Sequence, residues 1–138
     1  MAKKRVLDVG QCRPDHAAIR YVMESLGAEV DAAYLPADAL EAMKRETYDL
    51  VVINRKLDSD YSDGTDLIRM MKADHATAEI PVMLISNYPD AQEEAVSLGA
   101  LPGFGKLEMM KDSVHARIRA ALESSVKNPG PRRAKATD

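Results

Sequence analysis

Asp49-Leu50-Val51-Val52-Ile53-Asn54 is a continuous, largely β-branched apolar run of strand length. A strand with no polar alternation needs apolar cover on both faces, as in the middle of a parallel sheet between helices. Ile80-Pro81-Val82-Met83-Leu84-Ile85-Ser86 repeats the pattern, with Pro81 tolerated at its start. Between the two runs, Asp63-Gly64-Thr65 predicts a capped helix start. Leu67, Ile68 and Met71 then share one face at helical spacing. The centre of the chain reads strand, helix, strand.

The same alternation extends outward. Val6 to Val9 is a short apolar run interrupted by Asp8, and Pro14 suits the first turn of a helix. Ile19, Val22 and Leu26 follow at helical spacing, and Gly27 closes that helix. Glu29-Val30-Asp31-Ala32-Ala33 predicts a weak second strand, and Pro36 opens a helix with Ala39, Leu40 and Met43 on one face. Beyond the fourth run, Asp90 begins a short helix closed by Gly99, and Leu101 to Lys106 is a glycine-rich fifth strand. Val114, Ile118, Ala121 and Leu122 mark the last helix. Five strand–helix repeats imply a parallel, doubly wound α/β sandwich of three layers with right-handed crossovers. In such sheets the functional crevice lies beyond the carboxyl ends of the strands. That singles out Gly10, Gln11 and Cys12, the stretch from Asn54 to Ser62, Ser86 with Asn87, and Lys106.

The 138 residues suit one domain, expected over residues 1–126, with a basic, proline-containing tail over 127–138 expected to be disordered. Apolar residues make up 46% and charged residues 30%, a soluble globular composition. A net charge of -3 gives no global attraction to nucleic acid or anionic membrane. No second folded domain is expected that could supply a DNA-recognition helix. The apolar runs are too short to span a bilayer. The single cysteine, Cys12, excludes an internal disulfide and suits a cytoplasmic protein.

Asp63-Gly64, Ser86 after the Ile80–Ile85 run, Gly99-Ala100 and Lys106 stand at successive strand and helix ends. As an ordered set they resemble the receiver domain of bacterial response regulators, the two-component signalling family, over most of the chain. The resemblance implies a flavodoxin-like sheet of order 2-1-3-4-5. It also implies a site with four parts: a nucleophilic aspartate after strand three, an acidic pair after strand one for Mg²⁺, a Ser or Thr after strand four, and a Lys after strand five. Here the nucleophile position matches Asn54, whose carboxamide has no anionic oxygen to attack phosphorus. The acidic pair matches Gly10 and Gln11, which offer Mg²⁺ no hard anionic oxygen. Ser86 and Lys106 remain, and the aromatic switch position of strand five matches Gly103, beside Phe104.

The expectation is a degenerate receiver that binds protein partners, such as a histidine kinase or another signalling protein, without phosphorylation. No catalysis, metal or cofactor is expected, and no nucleic acid or membrane. Asp58 and Asp60, in a loop longer than the family's usual one, are the nearest acids in sequence to partner Lys106 or to stand in as acceptor. Asp8 inside strand one needs either water or a basic partner. Cys12, His16, His75 and His115 read as surface or scaffold residues, and Met109 with Met110 as an interface or as core. The alternative is a flavodoxin-like domain that holds a small anion or nucleotide with Ser86 and Lys106, with Tyr61 and Tyr88 as its stacking aromatics.

Overall fold

The computed structural model describes residues 3–127. The expected tail lies outside these residues, apart from Lys127. Five strands alternate with five helices: β1 (Lys4–Val9), α1 (Arg13–Ser25), β2 (Ala28–Ala33), α2 (Pro36–Arg45), β3 (Leu50–Asn54), α3 (Gly64–Ala73), β4 (Val82–Ile85), α4 (Pro89–Ser97), β5 (Leu101–Phe104) and α5 (Asp112–Lys127). A single 3₁₀ turn, Lys106–Glu108, joins β5 to α5. The sheet order is β2-β1-β3-β4-β5, and every pairing is parallel.

Parity along β3 assigns the two layers. Val51 and Ile53 pack with Leu7, Val9 and Leu84 against α2, α3 and α4, through Met43, Leu67, Ile68 and Ala95. Leu50 and Val52 pack with Val6, Met83 and Phe104 against α1 and α5, through Ile19, Val22, Val114 and Ile118. Burying each of these large side chains contributes about 1.5–3 kcal/mol before entropy is counted. The helices cover both faces because the central strands are apolar on both faces.

Boundaries follow local chemistry. Pro14, Pro36 and Pro89 sit in the first turns of α1, α2 and α4, where a missing N–H costs nothing. Asp63 is the N-terminal flanking residue of α3, as the sequence predicts, but its side chain does not cap the helix. It pairs instead with Lys56 at 2.5 Å, next to an isolated antiparallel bridge between the same two residues. β4 and β5 are shorter than their apolar runs suggest: β4 starts only at Val82, after Pro81, and both strands end where the chain turns into the crevice loops at Ser86 and Gly105. No helix among the described residues is long and apolar enough to cross a membrane.

Candidate functional site

The carboxyl ends of β1, β3, β4 and β5 converge on one edge of the sheet. A cavity of about 150 Å³ opens there, lined by Asn54, Arg55, Lys56, Ser86, Tyr88 and Lys106 among others. The sequence-predicted positions Asn54, Ser86 and Lys106 are thus brought together.

Asn54 is a donor in this setting. Its Nδ2 donates to the Gly10 carbonyl oxygen at 3.2 Å, tying the end of β3 to the loop after β1. A carboxylate could not make this bond. Gly10 itself has φ +82°, a conformation that favours glycine. A Cβ built there would lie 2.5 Å from Leu57 Cγ and 3.1 Å from Leu57 Cα. Leu57 is fully buried and clamped from both sides. Its amide donates to Ser62 O, its carbonyl accepts from Tyr61 N, and the next amide, Asp58 N, donates to Gly10 O. The long loop after β3 therefore folds back as a closed turn whose leucine fills the space beside Gly10.

Gln11 is 2% exposed; its side-chain amide makes no close hydrogen bond among the described residues, but it lies near enough to Asp8 to favour that carboxylate. The residues available do not fit Mg²⁺: one position has no room for a side chain, the next is a neutral amide, and the third is Asn54. Among the described residues no three His, Cys, Asp or Glu side chains cluster to hold a metal ion.

Lys106 does not meet Asp58 or Asp60, the partners expected from sequence. Its Nζ lies 2.7 Å from Asp15 Oδ2 in the first turn of α1. This bond is the main reason the Asp15 carboxyl sits below its ordinary range. Asp60 instead accepts from the Ser62 amide and hydroxyl within its own loop. Asp15 was missed in the sequence because the contact spans 91 residues and only packing of α1 near the end of β5 creates it.

Asp8 finds the basic partner that was one of its two options. Its parity puts it on the face of α1, opposite Val52 in the register, and its carboxyl is fully enclosed. His16 Nδ1 lies 2.7 Å from Asp8 Oδ2. Burial pushes the Asp8 carboxyl up to about 6, against the opposing pull of His16, Gln11 and Lys106. Of the remaining histidines, His115 reaches the Met109 carbonyl oxygen and His75 is exposed.

Ser86 is mostly buried, and its Oγ accepts from the Tyr88 amide, which shapes the loop after β4. Arg55, within the Asn54-to-Ser62 stretch that the sequence places at the crevice but given no role of its own there, follows β3 directly and stacks over Tyr88 at 5.0 Å. Gly103 leaves no room for an aromatic switch: a Cβ there would lie 2.0 Å from Leu84 O. Its amide donates to Gln92 Oε1 and its carbonyl accepts from Arg117. Phe104 beside it is locked in the core with α1 and α5. Met109 also belongs to that core, so of the two methionines only Met110 is exposed.

These features define a doubly wound α/β domain with a polar crevice at its strand ends, holding Ser86, Lys106 and Asn54. The family model for the response regulator receiver domain matches residues 15–119. The chain belongs to that family, the receiver domains of two-component signalling.

Solved structures agree on the fold. The receiver domain of NtrX from Brucella abortus matches with a TM-score of 0.75 at 25% identity, covering 87% of this chain and 99% of that one. The signal receiver domain of a DNA-binding response regulator from Colwellia psychrerythraea matches with a TM-score of 0.73 at 24% identity, covering 87% and 98%. A longer NtrX chain from Brucella abortus matches with a TM-score of 0.77 at 24% identity, over 94% of this chain. Of that longer relative this chain spans only 29%. No match is found among curated proteins.

Proposed function

We propose that this receiver domain works as a protein-interaction module that takes up no phosphoryl group. One observation carries the reading: the Leu57 side chain occupies the space an acidic side chain at position 10 would need, while Asn54 donates to the Gly10 carbonyl beneath it. Loss of charge and loss of room coincide. A phosphoryl transfer site needs both an anionic nucleophile and a metal to neutralise the incoming charge. Asn54, Gly10 and Gln11 supply neither. In this reading Ser86 and Lys106 are scaffold residues, one shaping the β4–α4 loop and the other bridging to α1.

The domain is read as residues 1–126, acting in the cytoplasm on a histidine kinase or another signalling protein. The test is capture of partners on the immobilised full chain with and without acetyl phosphate and Mg²⁺. The reading predicts the same partner at the same yield in both arms. A yield that rises or falls several-fold with the phosphodonor contradicts it.

A further inference from the structure

The crevice carries a charge pattern that the interaction reading alone does not use. Three cations, Arg55, Lys56 and Lys106, line the cavity, and no carboxylate does. Two of the three are already matched, Lys56 by Asp63 at 2.5 Å and Lys106 by Asp15 at 2.7 Å. Asp63 also feels Arg55, but it is committed to the nearer lysine. Among the described residues Arg55 makes no ion pair, and its guanidinium lies over the Tyr88 ring. The surplus is therefore one positive charge. Neutral donors share its cavity: among the described residues the second N–H of Asn54 and the Ser86 hydroxyl proton meet no acceptor.

The rim is apolar. Tyr88 is 60% exposed and Leu107 is 88% exposed. Leu107 follows Lys106 directly, and its amide is fixed to Asn87 Oδ1. A free anion would use the floor of this crevice and leave the rim in water. A peptide would use both.

Resting on the interaction reading above, we propose that this crevice is the docking surface, and that it seats one Asp or Glu side chain of a partner protein against Arg55, with apolar partner residues flanking it on Tyr88 and Leu107. One carboxylate balances the single surplus charge, whereas a dianionic phosphate would leave the site negative. A planar guanidinium held by an aromatic ring is pre-organised to meet a carboxylate bidentately. The attraction is partly solvent-exposed and so weakens with salt.

The test follows amide chemical shifts of the full chain during titration with the peptide acetyl-Leu-Glu-Leu-amide, its Gln counterpart, and inorganic phosphate. The Glu peptide is expected to shift Arg55, Ser86, Asn87 and Leu107 saturably, with a Kd on the order of 1 mM. The Gln peptide is expected to bind at least fivefold more weakly. Arg55→Gln should weaken the Glu peptide to the same extent, and Arg55→Lys should recover part of the loss, with melting temperatures unchanged. Equal binding of Glu and Gln peptides, shifts elsewhere on the surface, or phosphate saturating the site and excluding the peptide would each overturn the proposal. If no peptide shift appears while partner capture stays independent of phosphodonor, only this docking site fails. If capture depends on the phosphodonor, the underlying reading fails with it.

Discussion

Lys106 Nζ lies 2.7 Å from Asp15 Oδ2, so the lysine after β5 is anchored to α1 and Asn54 bonds elsewhere. Both side chains are roughly a third exposed, which limits what the pair contributes. Asp15→Asn is expected to cost about 0.5–1 kcal/mol in urea unfolding at low salt and less at high salt. The lowered Asp15 carboxyl adds stability that is present above the ordinary aspartate range and is lost as the pH falls through its folded value. The difference between parent and Asp15→Asn should therefore vanish in acid. A difference that persists at low pH would show that the pair is not its source.

Asp8 behaves in the opposite sense. Its folded value near 6 lies above that of an unfolded aspartate, so the native state holds the proton more tightly. The groups facing it are His16, Gln11 and Lys106. Its contribution is full below about pH 4 and is lost as the pH rises to about 6, amounting to about 3 kcal/mol across that window. Asp8→Asn removes the enclosed charge and keeps the shape. The variant is expected to lack this slope and, with no buried charge to hold above pH 6, to be about 1–2 kcal/mol more stable than the parent at pH 7.5. A pH series of urea melts checks both points, and a variant that is less stable at pH 7.5 with the slope intact would refute them.

On the proposed reading, a carboxylate at position 54 is not by itself enough for phosphoryl transfer. Asn54→Asp places a carboxylate oxygen against the Gly10 carbonyl that Asn54 now donates to. It is expected to cost about 1–3 kcal/mol of stability. It should also fail to gain phosphate from acetyl phosphate, because Gly10 and Gln11 still offer no metal ligand. Mass spectrometry of the intact variant decides the second point and thermal melting the first.

Gly10 is held by sterics as well as by conformation. Gly10→Asp forces a side chain into the Leu57 contact at φ +82°. The variant is expected to lose about 2–4 kcal/mol. Gly10→Asp combined with Leu57→Ala should recover part of that loss, since the clash is with the leucine side chain as well as its backbone. Full additivity of the two losses in a double-mutant cycle would mean that the residues do not interact.

The fold was legible because the central strands carry it. Val51, Val52 and Ile53 are apolar on both faces, and that alone demands helices on both sides. The ends of the helices were legible from Pro14, Pro36, Gly27 and Gly99, whose backbone chemistry is local. Within the site, the positions of Asn54, Ser86 and Lys106 followed from strand order. Their partners did not. The distance from Asp15 to Lys106 and the enclosure of Asp8 by His16 arise from how α1 packs on the sheet. Leu57 looked like an ordinary loop residue, since nothing in the sequence says that its loop closes on itself through Ser62 and Tyr61. Gly103 was legible only as a strand-five position without an aromatic side chain, and the Leu84 carbonyl against it supplies the reason.

A crevice in which Leu57 fills the space beside Gly10 and Asn54 donates a hydrogen bond is, on the proposed reading, inert to phosphodonors. The direct measurement is the intact mass of the full chain after incubation with acetyl phosphate, with and without Mg²⁺. The expected spectrum is that of the unmodified chain in both conditions. A stable mass increase of one phosphoryl group that requires Mg²⁺ would contradict the account.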